Sequence, residues 1–206
     1  QKAQSLGVTP SFQKEKLQKI KSEDVLKGTV SGIASFGIFI DVDGPLAWGT
    51  WGDGRVTINE INKTFTIPYP WVEEDCNALQ KICNETNASL VVSSDWKKHF
   101  SFIQLKRIFN YYGVTAPIID ITTHQDLWCK LSRPSIEWER AAEIVKWVKD
   151  NKISNWIAID DMNLSSEFKW MRPKIPKWRH VQVDGDFGHG GRLRDKIDEC
   201  IAKLNK

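Results

Sequence analysis

The stretch Gly37-Ile38-Phe39-Ile40-Asp41-Val42-Asp43-Gly44-Pro45-Leu46 opens on small and apolar residues and ends on two carboxylates one residue apart, followed at once by a glycine. A short unbroken apolar run bounded by a turn signal is the pattern of a strand covered on both faces, as in a parallel sheet flanked by helices. Side chains at i and i+2 of a strand leave from the same face. Asp41 and Asp43 are therefore expected together at the carboxyl edge of a central strand, where open α/β sheets bind ligands. Two carboxylates there suit a metal and a phosphate; a solvated Asp-x-Asp-Gly turn capping the strand is the plainer alternative.

Two further strands end in the same manner. Ala88-Ser89-Leu90-Val91-Val92 runs into Ser93-Ser94-Asp95-Trp96-Lys97, and Trp156-Ile157-Ala158-Ile159 runs into Asp160-Asp161. Just before the latter, Ile136 to Lys149 reads as a helix carrying Arg140, Lys146 and Lys149. Period-two runs in Arg55–Asn59 and Lys63–Pro68 predict a β-hairpin, and Tyr69-Pro70-Trp71 introduces a helix over Val72–Thr86. Phe102, Ile103, Leu105, Ile108 and Phe109 give Phe100–Tyr112 the spacing of an amphipathic helix, which Gly113 can stop. Val114–Asp120 is a connecting strand or loop, His180–Val183 a last strand and Leu193–Leu204 a last helix; Ile121–Pro134 gives no clear element. Strands alternating with helices predict an α/β fold, a Rossmann-like parallel sheet with helices on both faces.

A chain of 206 residues with an ordinary apolar fraction is long enough for one large α/β core. Residues 33–206 are expected to form it, and residues 1–32, polar with a lysine-rich helical stretch over Ser11–Leu26, an amino-terminal extension. The net charge of +3 permits an anionic substrate but does not by itself specify nucleic acid. No apolar run approaches the roughly 18 residues of a membrane span, and Gln1–Ser22 lacks the apolar core of a signal peptide. Cys76, Cys83, Cys129 and Cys200 show no Cys-x-x-Cys spacing, so neither a zinc site nor a disulfide framework is indicated. A soluble cytoplasmic protein with reduced thiols is the expectation, with no membrane partner. His180 and His189 lack a metal-ligand partner at characteristic spacing and read as surface or structural residues.

An aspartate pair, a hydroxyl, a helical cation and an acidic pair, in that order, resemble the haloacid dehalogenase-like (HAD) phosphohydrolase superfamily. Val91-Val92-Ser93-Ser94-Asp95-Trp96-Lys97, Arg140-Ala141-Ala142-Glu143-Ile144 with Trp147, Ile159-Asp160-Asp161, and Val181-Gln182-Val183-Asp184 before a glycine-rich turn narrow it. Together they resemble the HAD domain of the Swiss Army Knife RNA repair group, over roughly Phe36 to Asn205. Pro45 departs from the pattern, since most members carry threonine or a small aliphatic residue there.

The resemblance implies a magnesium-dependent phosphomonoesterase working through an aspartyl-phosphate. Asp41 would be the nucleophile and Asp43 the general acid and base. Mg²⁺ would be held by Asp41, the Asp43 carbonyl and the Asp160–Asp161 pair, the sequence leaving open which of the two binds directly. Ser93 would hydrogen-bond a phosphoryl oxygen, with Ser94 as alternative. Arg140 would supply the third-motif cation; Lys130 and Arg133 compete for that role, and pairing of Arg140 with Glu137 or Glu143 on a solvated helix face is the plainer reading. Ser93 stands fifty positions after Asp43, room for a hairpin flap and a minimal cap but not for a large one, so an open site is expected. Gly44, Ser94 and Lys97 are candidate substrate contacts, with Lys98 helping to steer phosphates. Trp48, Trp51 and Trp96 are candidates for stacking on a base. The expected partner is a phosphorylated RNA or DNA end. A 5′-nucleotidase for free nucleotides is the alternative enzyme, and a non-catalytic phosphate- or protein-binding module the alternative class; the intact Asp41 and Asp43 argue against the module.

Overall fold

The computed structural model describes residues 36–47, 54–60, 63–123, 136–165, 174–183 and 192–206. The helical stretch expected over Ser11–Leu26 and Trp48, Trp51, Lys130, Arg133 and His189 lie outside the described residues.

The elements alternate as expected: β1 (Phe36–Ile40), a hairpin of β2 (Val56–Glu60) and β3 (Lys63–Ile67), α1 (Glu73–Thr86), β4 (Ser89–Val92), α2 (Phe102–Tyr111) and β5 (Ile118–Ile121). They continue with α3 (Ile136–Asn151), β6 (Asn155–Asp160), β7 (His180–Gln182) and α4 (Ile197–Leu204), with single 3₁₀ turns at Asp95–Lys98, Lys177–Arg179 and Leu193–Asp195. Local chemistry sets several boundaries. Ser101 and Gln104 form a reciprocal capping box at the start of α2, and Gly113, at φ +79°, takes the left-handed turn that ends it. Asn87 plays the corresponding part after α1, at φ 52°, with its N–H on the Cys83 carbonyl.

Five strands form one parallel sheet in the order β5-β4-β1-β6-β7. The alternation of side chains along buried strands produces two apolar layers. Ile38, Ile40, Leu90, Val92, Ile157 and Ile159 face one side, where Leu79 and Ile82 of α1, Leu105 and Ile108 of α2 and Leu204 of α4 cover them. Phe39, Val91, Trp156 and Ala158 face the other, against Trp138, Ala141, Ile144 and Trp147 of α3. Phe39 meets Trp147 and Trp156 edge to face at 5.4 and 5.6 Å. Each fully buried large side chain of this kind contributes roughly 1.5–3 kcal/mol. The hairpin is anchored too, with Ile58 and Ile67 buried in the first layer.

Strand order decides where function can sit. From β1 the chain moves to β4 and β5 on one side, then reappears at β6 and β7 on the other. The order therefore reverses at β1, and the carboxyl ends of β4, β1 and β6 lie side by side at the switch point. Because α3 ends four residues before β6 begins, its carboxyl end lies by the amino edge of the sheet and its first turns by the carboxyl edge. Among the described residues no helix is long and apolar enough to cross a membrane.

Candidate active site

Asp41 is the first residue after β1. Its N–H still pairs with the Ile159 carbonyl at 3.0 Å, so the strand ladder fixes its backbone, and its Oδ1 accepts the Val42 N–H at 2.8 Å. The following turn closes through Gly44 N to Ala47 O, Leu46 N to Val42 O and Ala47 N to Val42 O, all 2.9–3.0 Å. None of these bonds needs a donor at position 45, so Pro45 fits without an unmet backbone bond. Gly44, at φ +82°, supplies the left-handed step.

Arg140, from the first turns of α3, is the cation that reaches this turn. It is 5 % exposed, and its Nη1 lies 2.8 Å from Asp41 Oδ2, 3.1 Å from Asp160 Oδ2 and 2.5 Å from the Ser93 carbonyl. Nη2 lies 3.6 Å from Asp95 Oδ1. Pairing with Glu137 or Glu143 on a solvated face is not what Arg140 does. Burial works against its charge, but Asp41 and Asp160 outweigh that and raise its pKa above the ordinary arginine value.

Asp160 and Asp161 leave the end of β6. Carboxylate oxygens of Asp41, Asp160 and Asp161 lie within 4.8 Å of one another, a hard all-oxygen donor set of the kind that suits magnesium. The charges strain one another. Burial and then Asp41 raise Asp160 well above the carboxylate range and hold Asp161 up at about 6, as expected where buried carboxylates crowd together. Asp160 is also tied by Arg140 and by the Met162 N–H on its Oδ1 at 2.9 Å, which leaves Asp161 the less encumbered carboxylate of the two.

Asp43 is half-buried, and burial raises its pKa against the opposing hydrogen bond from Tyr69. Its Oδ1 accepts from the Tyr69 hydroxyl and, at 2.7 Å, from Trp96 Nε1. Neither donor was expected from the sequence; an aromatic side chain carries no local sign of which distant carboxylate it will meet.

Ser93 N–H continues the β1 ladder to the Ile40 carbonyl at 2.9 Å, placing its side chain at the sheet edge. Its Oγ lies 3.4 Å from Thr122 Oγ1, which lies 2.9 Å from both Glu143 Oε2 and Lys97 Nζ. Lys97 Nζ also pairs directly with Glu143. Thr122 has one hydroxyl hydrogen, and the nearer, charged acceptor Glu143 takes it. Ser94 Oγ instead accepts the Trp96 N–H at 3.4 Å, a cap of the 3₁₀ turn.

Two expectations need correction. Trp96 is 0 % exposed, packed against Trp71 and Tyr69 at 5.5 and 5.7 Å, so a base cannot stack on it without opening the core. Lys97 is not a solvent-facing phosphate contact: its side chain is 7 % exposed and paired with Glu143. Burial lowers its pKa while Glu143 pulls the other way. Lys98 does face solvent, where it pairs with Asp95 at 3.0 Å. Thr122 and Glu143 were missed as site residues because they act only through this folded network.

The carboxyl edge thus gathers Asp41, Asp43, Ser93, Arg140, Asp160 and Asp161 from four separate segments. No curated protein matches the chain. The model of one protein family, described as the HAD domain in Swiss Army Knife RNA repair proteins, matches residues 37–188, nearly three quarters of the chain and every one of these six residues. The chain belongs to that family of HAD domains, within a superfamily of phosphohydrolases.

Proposed function

We propose that the domain is a magnesium-dependent phosphomonoesterase that acts on phosphorylated RNA or DNA ends through an aspartyl-phosphate on Asp41. The observation that carries this reading is the Asp41–Arg140–Asp160 cluster, with Arg140 Nη1 2.8 and 3.1 Å from the two carboxylates beside Asp161. A phosphate monoester repels nucleophiles, so a carboxylate can attack one only where cationic groups offset its charge. Magnesium held by Asp41, Asp161, Asp160 and the Asp43 carbonyl would supply that neutralisation when bound.

The chain's own residues do the rest. Arg140 orients Asp41, and Ser93 donates its hydroxyl hydrogen to a phosphoryl oxygen. An Asp41 carboxylate oxygen bonds to phosphorus as the ester oxygen leaves, taking a proton from Asp43. Asp43, now a carboxylate, removes a proton from water, whose oxygen attacks the same phosphorus and releases inorganic phosphate with Asp41 restored. The family's RNA repair context favours a polymer end over a free nucleotide.

The test is turnover by wild type and Asp41→Asn, with and without chelator, on 3′- and 5′-phosphorylated oligonucleotides, nucleoside monophosphates and a small aryl phosphate. Loss of hydrolysis in the variant and on chelation is the expected result; activity surviving either one rules out the covalent magnesium mechanism. Trp48→Ala/Trp51→Ala then separates substrates: stacking is worth about 1–3 kcal/mol per base, so oligonucleotide turnover should fall well below that of the aryl phosphate. Equal losses would favour a small-molecule phosphatase.

A further inference from the structure

Asp43 meets two donors that arrive from different parts of the chain. Tyr69 comes from just beyond β3, and Trp96 from the 3₁₀ turn after β4. Both donate to the same oxygen, Oδ1. An indole N–H can only donate, so Trp96 requires a bare acceptor oxygen opposite it. Oδ2 has no donor among the described residues.

Neither ring is free to turn away. Tyr69 is 3 % exposed and Trp96 0 %, and the two pack edge to face at 80°. Trp96 in turn rests on Trp71, which is stacked on Tyr112 at 5.3 Å and 11°. The clamp on Asp43 is the end of an aromatic cluster that reaches into the core.

We propose that Tyr69 and Trp96 are positioning residues which hold the Asp43 carboxyl in one orientation and reserve Oδ2 for proton transfer. The inference rests on Asp43 being the general acid and base. Such a group must give a proton to the leaving oxygen and later take one from water, and a carboxyl free to rotate would present the wrong oxygen for part of the time. Two fixed donors on Oδ1 remove that freedom.

The experiment measures kcat/KM of the full chain with magnesium on two esters of similar size, 4-nitrophenyl phosphate and benzyl phosphate. The nitrophenolate departs without being protonated, whereas the benzyl alkoxide needs an acid. For Tyr69→Phe and Trp96→Phe the expected loss on benzyl phosphate is at least about tenfold greater than on 4-nitrophenyl phosphate, and Asp43→Asn should show the same split enlarged toward the 10²–10⁴-fold range of acid–base catalysis. Tyr69→Phe removes one oxygen and keeps the ring, so it serves if Trp96→Phe does not fold. Equal losses on both esters, or none, in Tyr69→Phe while Asp43→Asn keeps its split would overturn the positioning role alone. An Asp43→Asn variant without the split would overturn the acid–base reading and this inference with it.

Discussion

A Cβ placed on Gly44 would stand 2.6 Å from the Cβ of Asp161 and 2.9 Å from its Oδ2. The turn after β1 and the loop after β6 are therefore in contact at the acidic cluster, and the absence of a side chain at position 44 is what lets them close. Gly44→Ala should push Asp161 out of place and also strain a backbone at φ +82°, at roughly 1–2 kcal/mol. The expected result is a magnesium requirement raised by about tenfold or more in activity titrations, with the thermal midpoint only slightly lowered. An unchanged magnesium requirement would show that Asp161 does not contribute to the cation site.

Arg140 is the sole cation within 4 Å of Asp41 and Asp160 among the described residues. Arg140→Met removes it from two carboxylates that are 4 % and 1 % exposed. Breaking a buried pair from one side costs about 3–5 kcal/mol, so urea unfolding without metal should report a loss of that order and turnover should be abolished. Arg140→Lys keeps the charge but not the fork that reaches Asp41, Asp160 and Ser93 together, and should recover stability better than activity.

Lys97 and Glu143 form a second buried pair, 7 % and 4 % exposed, joined to Ser93 through Thr122. Lys97→Met and Glu143→Gln should each destabilise the fold by a few kcal/mol by leaving the partner charge uncompensated. The double variant should cost less than the two singles added, with an interaction energy above about 1 kcal/mol in a double-mutant cycle. Additive losses would mean that the two charges do not sense each other.

His180 is 5 % exposed, and burial, helped by Lys203, pushes its pKa down to about 4. The unfolded chain takes up this proton near pH 6.5, whereas the native protein resists until about pH 4. Stability from this group is thus complete above pH 6.5 and lost as the pH falls toward 4, by up to about 3 kcal/mol. Urea unfolding of wild type and His180→Leu at pH 7, 5.5 and 4 should show the difference between them shifting in the variant's favour as the pH falls. A constant difference would mean that His180 is protonated in the native state as readily as in the unfolded one.

Much of this architecture is legible in the chain because a strand buried on both faces has no polar option along its length. Ile38–Ile40, Leu90–Val92 and Ile157–Ile159 are apolar for that reason, and the polar residues that follow each run mark the carboxyl edge of the sheet. Gly113 and the alternation of Val56 with Ile58 and of Phe65 with Ile67 in the hairpin are local signals of the same sort, since their meaning depends on neighbours a few residues away.

Partnerships across the fold were not legible. Arg140 stands three residues from Glu143, a spacing that suggests a pair on one helix face, yet Arg140 goes to Asp41 and Asp160 while Glu143 goes to Lys97. Trp96 follows a strand next to two lysines and reads as part of an open mouth, yet it is the base of the Asp43 clamp. The sequence by itself determined the strand and helix order and the carboxylates at the strand ends, because burial and backbone pairing act on each run locally. Which charge neutralises which, and which aromatic ring faces a carboxyl rather than solvent, was decided only by the tertiary structure. Those choices depend on distances between segments far apart in the chain, and in a low-dielectric interior a few ångströms decide where a charge or a donor must go.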